Sequence, residues 1–223
     1  MRTLSVACVL AMAGSAFAID TINVDRSTLL LDNGVYTIQA TPMDEAGFGN
    51  RSAGPVYSNL DPGPNGYVAA PAASGPGGFD DYVSTLAPGN VTLAEFAFVG
   101  GTSVAGGAVF FDFFDNDQNF VDGFGVQLPQ AGNFIWTITI NVPFDIPGAG
   151  LVQVFFDDGS VISNAPGQWF LGDAGPTIGS EDPFFGGSGD GAFSHNFELV
   201  HIPTPGTMAL LGLAGFAATR RRR

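Results

Sequence analysis

Four oxygen-bearing side chains at close spacing, Asp115, Asp117, Asn119 and Asp122, are the residues of this 223-residue chain best placed for chemistry. Asp115, Asp117 and Asn119 stand at i, i+2 and i+4, a spacing that lets a loop aim hard oxygen donors at one Ca²⁺. The EF-hand form of the pattern fails, since Phe120 stands where glycine is needed and Val126 where glutamate is needed. The competing reading is an acidic turn between two strands. Asp157-Asp158-Gly159 is a weaker case of the same kind, because Asp-Asp-Gly is first of all a turn sequence.

Enzyme constellations do not assemble from the sequence. His195 and His201 are six residues apart in or beside one strand, about 20 Å at 3.3 Å per residue, too far to share a zinc. There is no HExxH, no GxSxG and no phosphate loop; Gly187-Ser188-Gly189 lacks the strand-to-helix setting. A carboxylate pair for glycoside hydrolysis stays open among 21 acidic residues. The expectation is a non-enzymatic protein. The nearer rival is a lectin-like carbohydrate-binding sandwich, in which Tyr57, Tyr67, Tyr82 and Trp169, expected in or near loops, would stack on sugar rings.

Charge narrows the partners. All 21 acidic residues lie between Asp20 and Glu198, where Arg26 and Arg51 are the only basic residues, so this body carries −19. Such a surface repels phosphates and polyanionic sugars, which excludes nucleic acid as a partner, and it attracts cations.

The elements that must position these residues read as β. The chain has 21 Phe and 32 Gly, and little leucine outside its two ends. Residues 134–142 give the cleanest alternation: Phe134, Trp136, Ile138, Ile140 and Val142 share one face, Thr137, Thr139 and Asn141 the other. Residues 91–99, 108–114, 120–128, 151–156, 161–164, 169–171 and 193–200 read as further strands. Residues 27–31 and 35–40 flank Asp32-Asn33-Gly34 and predict a hairpin. Seven prolines and many glycines in 41–90 predict long surface loops, with one or two short edge strands near Tyr57 and Tyr67. The expected fold is all-β: an antiparallel two-sheet β-sandwich, jelly-roll-like, over residues 19–201, with an isolated barrel as the alternative.

The two ends carry different signals. Residues 1–18 have Arg2, an apolar core and Ala16-Phe17-Ala18, an A-x-A site that predicts export and cleavage before Ile19. The one cysteine, Cys8, lies inside this segment, so the mature body has no disulfide to rely on. Residues 202–223 begin with Pro203, Thr204, Pro205 and Gly206, continue as an apolar run from Met208 to Ala218, and end in Arg220, Arg221, Arg222 and Arg223. As a helix, residues 203–219 reach roughly 25 Å at 1.5 Å per residue, against about 30 Å of hydrocarbon. The arginines must therefore add to retention, at about 1 kcal/mol each against an anionic leaflet, and they hold the C-terminus on the cytoplasmic side as a stop-transfer cluster.

This tail of about 22 residues resembles the PEP-CTERM sorting signal of bacterial exosortase substrates, with Thr204 where that motif carries glutamate. The resemblance implies a single transmembrane helix in the precursor, processing by an exosortase-type membrane enzyme, a cell-surface or extracellular-matrix destination, and association with exopolysaccharide. IPTPG also resembles the sortase signal LPxTG, but Pro205 stands where that signal needs threonine before glycine.

Overall fold

The computed structural model describes residues 24–44 and 54–202. The signal segment, with Ala16 and Ala18, and the tail from Pro203 to Arg223 lie outside the described residues. Among the described residues no helix is long and apolar enough to cross a membrane; regular structure is a 3₁₀ turn, Arg26–Thr28, and twelve strands. The strands are β1 (Tyr36–Thr41), β2 (Pro55–Ser58), β3 (Val68–Ala69), β4 (Gly75–Val83), β5 (Asn90–Thr102), β6 (Ala108–Phe114), β7 (Phe120–Gln127), β8 (Gly132–Pro147), β9 (Ala149–Phe156), β10 (Gly167–Gly172), β11 (Ser194–His195) and β12 (Phe197–His201).

They form two antiparallel sheets. One has the order β4-β9-β6-β7. In the other, β1, β8 and β5 are neighbours, and the far edge of β5 is shared by β12 along Leu93–Phe98 and by β10 along Gly100–Thr102. Strand β2 adds to β12, and β3 and β11 add to β10. The pairings are nested: β2 with β12, β4 with β9, β5 with β8, β6 with β7.

Period-2 alternation turns one set of side chains from each sheet into a common core. Phe96 and Phe98 of β5 meet Phe111 of β6 with ring centroids 4.5 and 4.9 Å away, and Phe111 lies 5.0 Å from Phe124 of β7. Trp136, Ile138 and Ile140 join this core, as the alternation requires. The abundance of phenylalanine thus becomes the filling between the sheets, and offset and edge-to-face rings add to the burial of apolar area. Both outer faces are partly covered as well. Leu60 and Phe170 pack with Ala97, Val99 and Ile135 on the larger sheet, and Leu29, Leu30 and Val161 pack on Ala108, Phe110 and Phe155 of the smaller one.

Four expectations need correction. The 27–31 segment is not half of a hairpin: Leu30 bridges Gly125 of β7, while β1 pairs with β8, so residues 25–41 pass from the edge of one sheet to the edge of the other. Residues 41–90 contain the nine-residue β4 as well as loops. Residues 161–164 form no strand, because their N–H groups turn inward to Asp157. Val142 leaves the face it was assigned and is 66% exposed. Between the pairs Leu93↔Phe144 and Glu95↔Thr139 strand β8 bulges outward, which breaks its parity after Ile140.

Candidate functional site

The acidic cluster of 115–122 caps the turn between β6 and β7. Asp115 Oδ1 accepts the N–H groups of Asp117 (3.0 Å) and Asn119 (2.9 Å), and the Asn119 amide donates to both Asp115 oxygens at 3.2 and 3.1 Å. Gln118, with φ 63°, makes the left-handed step the turn requires. The Asn119 N–H and amide lead the effects that hold the Asp115 carboxyl below the usual range. Asp122 Oδ1 accepts the Gly123 N–H at 2.8 Å. Asp115 and Asn119 are thus bonded to each other and Asp115 spends its oxygens on the turn itself, while Asp122 turns to its own neighbour's N–H. Among the described residues no group of three or more His, Cys, Asp or Glu is arranged to hold a metal ion.

Asp157 is used in the same way with more donors. It is buried, and its two oxygens accept the N–H groups of Gly159, Val161, Ile162 and Ser163 at 2.8 to 3.2 Å. Burial alone would raise its pKa; the N–H groups, led by Ser163, outweigh it and hold the carboxyl below its ordinary value.

A larger polar cluster was not legible in the sequence. Asp80 on β4 is fully buried; its Oδ2 accepts the His195 N–H at 2.6 Å and its Oδ1 the Asp81 N–H at 3.0 Å. Glu181 Oε2 accepts the Tyr57 hydroxyl at 2.6 Å and the Asn59 amide at 3.2 Å. Asp81 accepts the Asp182 N–H through both oxygens, at 3.0 and 3.3 Å. Residues 178–194 close over the group: Ser180 bridges Val83, Gly186 bridges Asp80, and a Cβ at Gly186 would come 2.6 Å from Asp80 Oδ1. Burial raises the pKa of Asp80 well above the carboxylate range, and the Glu181 charge raises it further. Burial also raises Glu181, against the bonds from Ser194, Tyr57 and Asn59, and lifts Asp81 to about 6. Here are carboxyls with raised proton affinity, the property a general acid needs, yet they sit under a covering segment rather than in a cleft.

The histidines are also structural in placement. His195 lies flat on Trp169, ring centroids 3.9 Å apart and planes at 13°, with Gly78 against its other side: a Cβ there would be 2.5 Å from Nε2. Burial lowers its pKa to about 3, so the ring is neutral at physiological pH. His201 Nδ1 accepts the Thr92 N–H at 3.0 Å.

The aromatic residues expected in or near loops are core residues. Tyr57, Tyr82 and Trp169 are fully buried, in contact with Phe197, and Tyr67 is half-buried with its hydroxyl donating to the Leu60 carbonyl at 2.8 Å. None of the first three can stack on a sugar. An open groove of about 340 Å³ lies elsewhere, where the edge strands β1 and β7 approach each other. Tyr36 crosses it: its hydroxyl accepts the Gln127 N–H at 3.2 Å.

On the outer face of the smaller sheet Asp112 is fully buried and paired with Arg26, whose Nε and Nη2 donate to Asp112 Oδ2 at 3.1 and 2.6 Å. The guanidinium also lies 3.8 Å from the Phe155 ring centroid. The Arg26 charge lowers the Asp112 pKa, but burial is the larger effect and the carboxyl stays above its ordinary range.

Fold and site together define an all-β sandwich protein with covered carboxyls and turn-forming acidic loops. Compared with known proteins, the chain matches no family model, and a search of curated proteins finds no significant match.

Proposed function

We propose that this chain is an exported, non-enzymatic surface or extracellular-matrix component of a bacterium, held briefly in the inner membrane by residues 202–223 and processed there by an exosortase-type enzyme. The observation that carries the reading is the layout of the tail: Pro203, Thr204, Pro205 and Gly206, then an apolar run, then Arg220 to Arg223. An export signal with Ala16 and Ala18 at its cleavage site stands at the other end of the chain. The nested strand pairing of the body supports a jelly-roll-like reading of its two antiparallel sheets. Its last strand, β12, lies between β2 and β5, and the Ile202 N–H still donates to the Thr92 carbonyl at 3.1 Å, so the sorting segment follows at once from a firmly paired strand. Burial of Asp80 and of His195 supports a role without catalysis.

The test is fractionation of cells expressing chains tagged after Ile19. Replacing Arg220 to Arg223 with serine should release full-length protein, because the apolar run alone inserts weakly. Leu210, Leu211, Leu213 and Phe216 together supply about −1.2 to −2.4 kcal/mol. Changing Pro203 and Pro205 to alanine should leave uncleaved precursor in the membrane, because the prolines keep the segment before the run extended and open to the processing enzyme. An arginine-free chain that stays membrane-bound and is processed like the parent overturns the reading.

A further inference from the structure

The groove between β1 and β7 has a chemistry of its own. Both are edge strands, one in each sheet, and residues 25–41 cross from one edge to the other beside it. Asn33, Tyr36 and Ile38 line one side, Gln127, Leu128 and Pro129 the other. None of the lining residues carries a charge, in a body of −19. The polar groups are two amides and a phenol; the apolar ones that reach the surface are a half-buried tyrosine ring, a half-buried isoleucine and a proline, while Leu128 is fully buried in the core behind them.

That combination selects by exclusion as well as by fit. A cation would find acidic surface everywhere else and no carboxylate here. An anion would have to cross the field of the body and find no arginine or lysine. What the groove offers is an apolar wall for C–H groups next to side chains that both donate and accept hydrogen bonds, which is the complement of a neutral polyol ring. Its volume of about 340 Å³ is at the small end of small-molecule pockets, roughly 300–1,000 Å³, so it suits one ring rather than an extended chain.

The lining is also held in place. The Gln127 amide donates to the Gly106 carbonyl at 3.2 Å, which leaves its oxygen for an incoming hydroxyl. The Tyr36 hydroxyl is fixed on the Gln127 backbone, so the ring cannot swing away. Asn33 is exposed on the turn before β1 and belongs to the lining of the groove.

We infer that this groove is a binding site for a single neutral sugar residue, gripped between the Tyr36 ring and the Asn33 and Gln127 amides. The site stands on the groove's geometry alone and is independent of how the tail is sorted. With few contacts available the affinity is millimolar, as small neutral ligands on open sites require.

The test is saturation-transfer NMR on the full-length chain, kept soluble in a polyoxyethylene detergent that carries no sugar. Glucose, galactose, mannose and N-acetylglucosamine serve as neutral probes; glucuronate and glucosamine serve as charged controls. At least one neutral probe should bind saturably and outcompete both charged controls. Asn33→Ala should weaken that probe about tenfold with a melting temperature within a degree or two of the parent, and Gln127→Glu, which adds a charge and gives up the bond to the Gly106 carbonyl, should weaken it at least as much while the chain stays folded. Saturable binding that both variants leave intact places the sugar elsewhere and overturns the inference. So does the absence of saturable binding by any neutral probe, or preference for glucuronate.

Discussion

Arg26 and Asp112 make the ion pair on which residues 25–31 are docked, and its removal should be among the most damaging single changes to the body. Asp112 is fully buried and the Arg26 side chain is 13% exposed, so the pair is not screened as a surface pair would be. Arg26→Met keeps most of the aliphatic stem over Phe155 and removes both hydrogen bonds and the charge. Stranding one partner of a buried pair costs about 3–5 kcal/mol. At about 2–4 °C per kcal/mol for a domain of this size, the melting temperature should fall by roughly 6–20 °C. Protonation of Asp112 limits the loss, since burial already raises its pKa and without Arg26 it rises further. The deficit should therefore shrink by up to about 1.4 kcal/mol for each pH unit lowered through that range. Urea unfolding, followed by the fluorescence of buried Trp136 and Trp169, reads the effect directly. The double variant Arg26→Met/Asp112→Leu should recover most of it, because an apolar pair carries no desolvation cost. A single variant within about 1 kcal/mol of the parent at pH 7.5, or a double variant no better than the single, refutes the reasoning.

Three further outcomes follow from the carboxyl groups. Asp80, Glu181 and Asp81 have pKa values raised above the unfolded range, Asp81 to about 6, so the folded state binds more protons and their stabilisation, complete below about pH 4, is lost as pH rises through the folded values. Thermal melts should accordingly be higher at pH 5 than at pH 7.5, and Glu181→Gln should flatten that slope; a melting temperature that climbs steadily from pH 5 to 7.5 contradicts it. Asp157 works in the opposite sense: its lowered pKa gives stability that is present above about pH 4 and lost below, and Asp157→Ala should cost about 3 kcal/mol in urea unfolding by stranding four N–H groups. Asp115→Ala should lower the melting temperature equally with Ca²⁺ and with chelator, whereas a Ca²⁺-dependent melt that Asp117→Ala abolishes would show that the loop binds the ion.

What could be read in advance depended on whether a residue's role was local. Residues 134–140 betray β8 because Phe134, Trp136, Ile138 and Ile140, every second side chain, meet the same core. Strand β4 was hidden by its own Gly75-Pro76-Gly77-Gly78. Those glycines are required by distant rings: a Cβ at Gly77 would lie 2.3 Å from Phe156 Cε2, and one at Gly78 2.5 Å from His195 Nε2. The signal that erased the strand pattern was thus the trace of a packing contact with no signature of its own. The aromatic residues failed in the reverse direction. Tyr57 and Tyr82 stand among prolines and glycines, which reads as loop, yet they pack 5.9 Å apart in the core because β2 and β4 lie in facing sheets. The cluster of Asp80, Asp81 and Glu181 could not be anticipated, since the fold brings those carboxyls together across about a hundred residues of chain. Asp115, Asp117 and Asn119 were legible as a loop because their hydrogen bonds run to one another.

Sorting through the tail is the central claim, and the intact mass of the protein recovered from the bacterial surface or medium tests it most directly. The account predicts a chain that begins at Ile19 and has lost the apolar run and Arg220 to Arg223 beyond the Pro203–Gly206 motif. A recovered mass that still includes those arginines contradicts it.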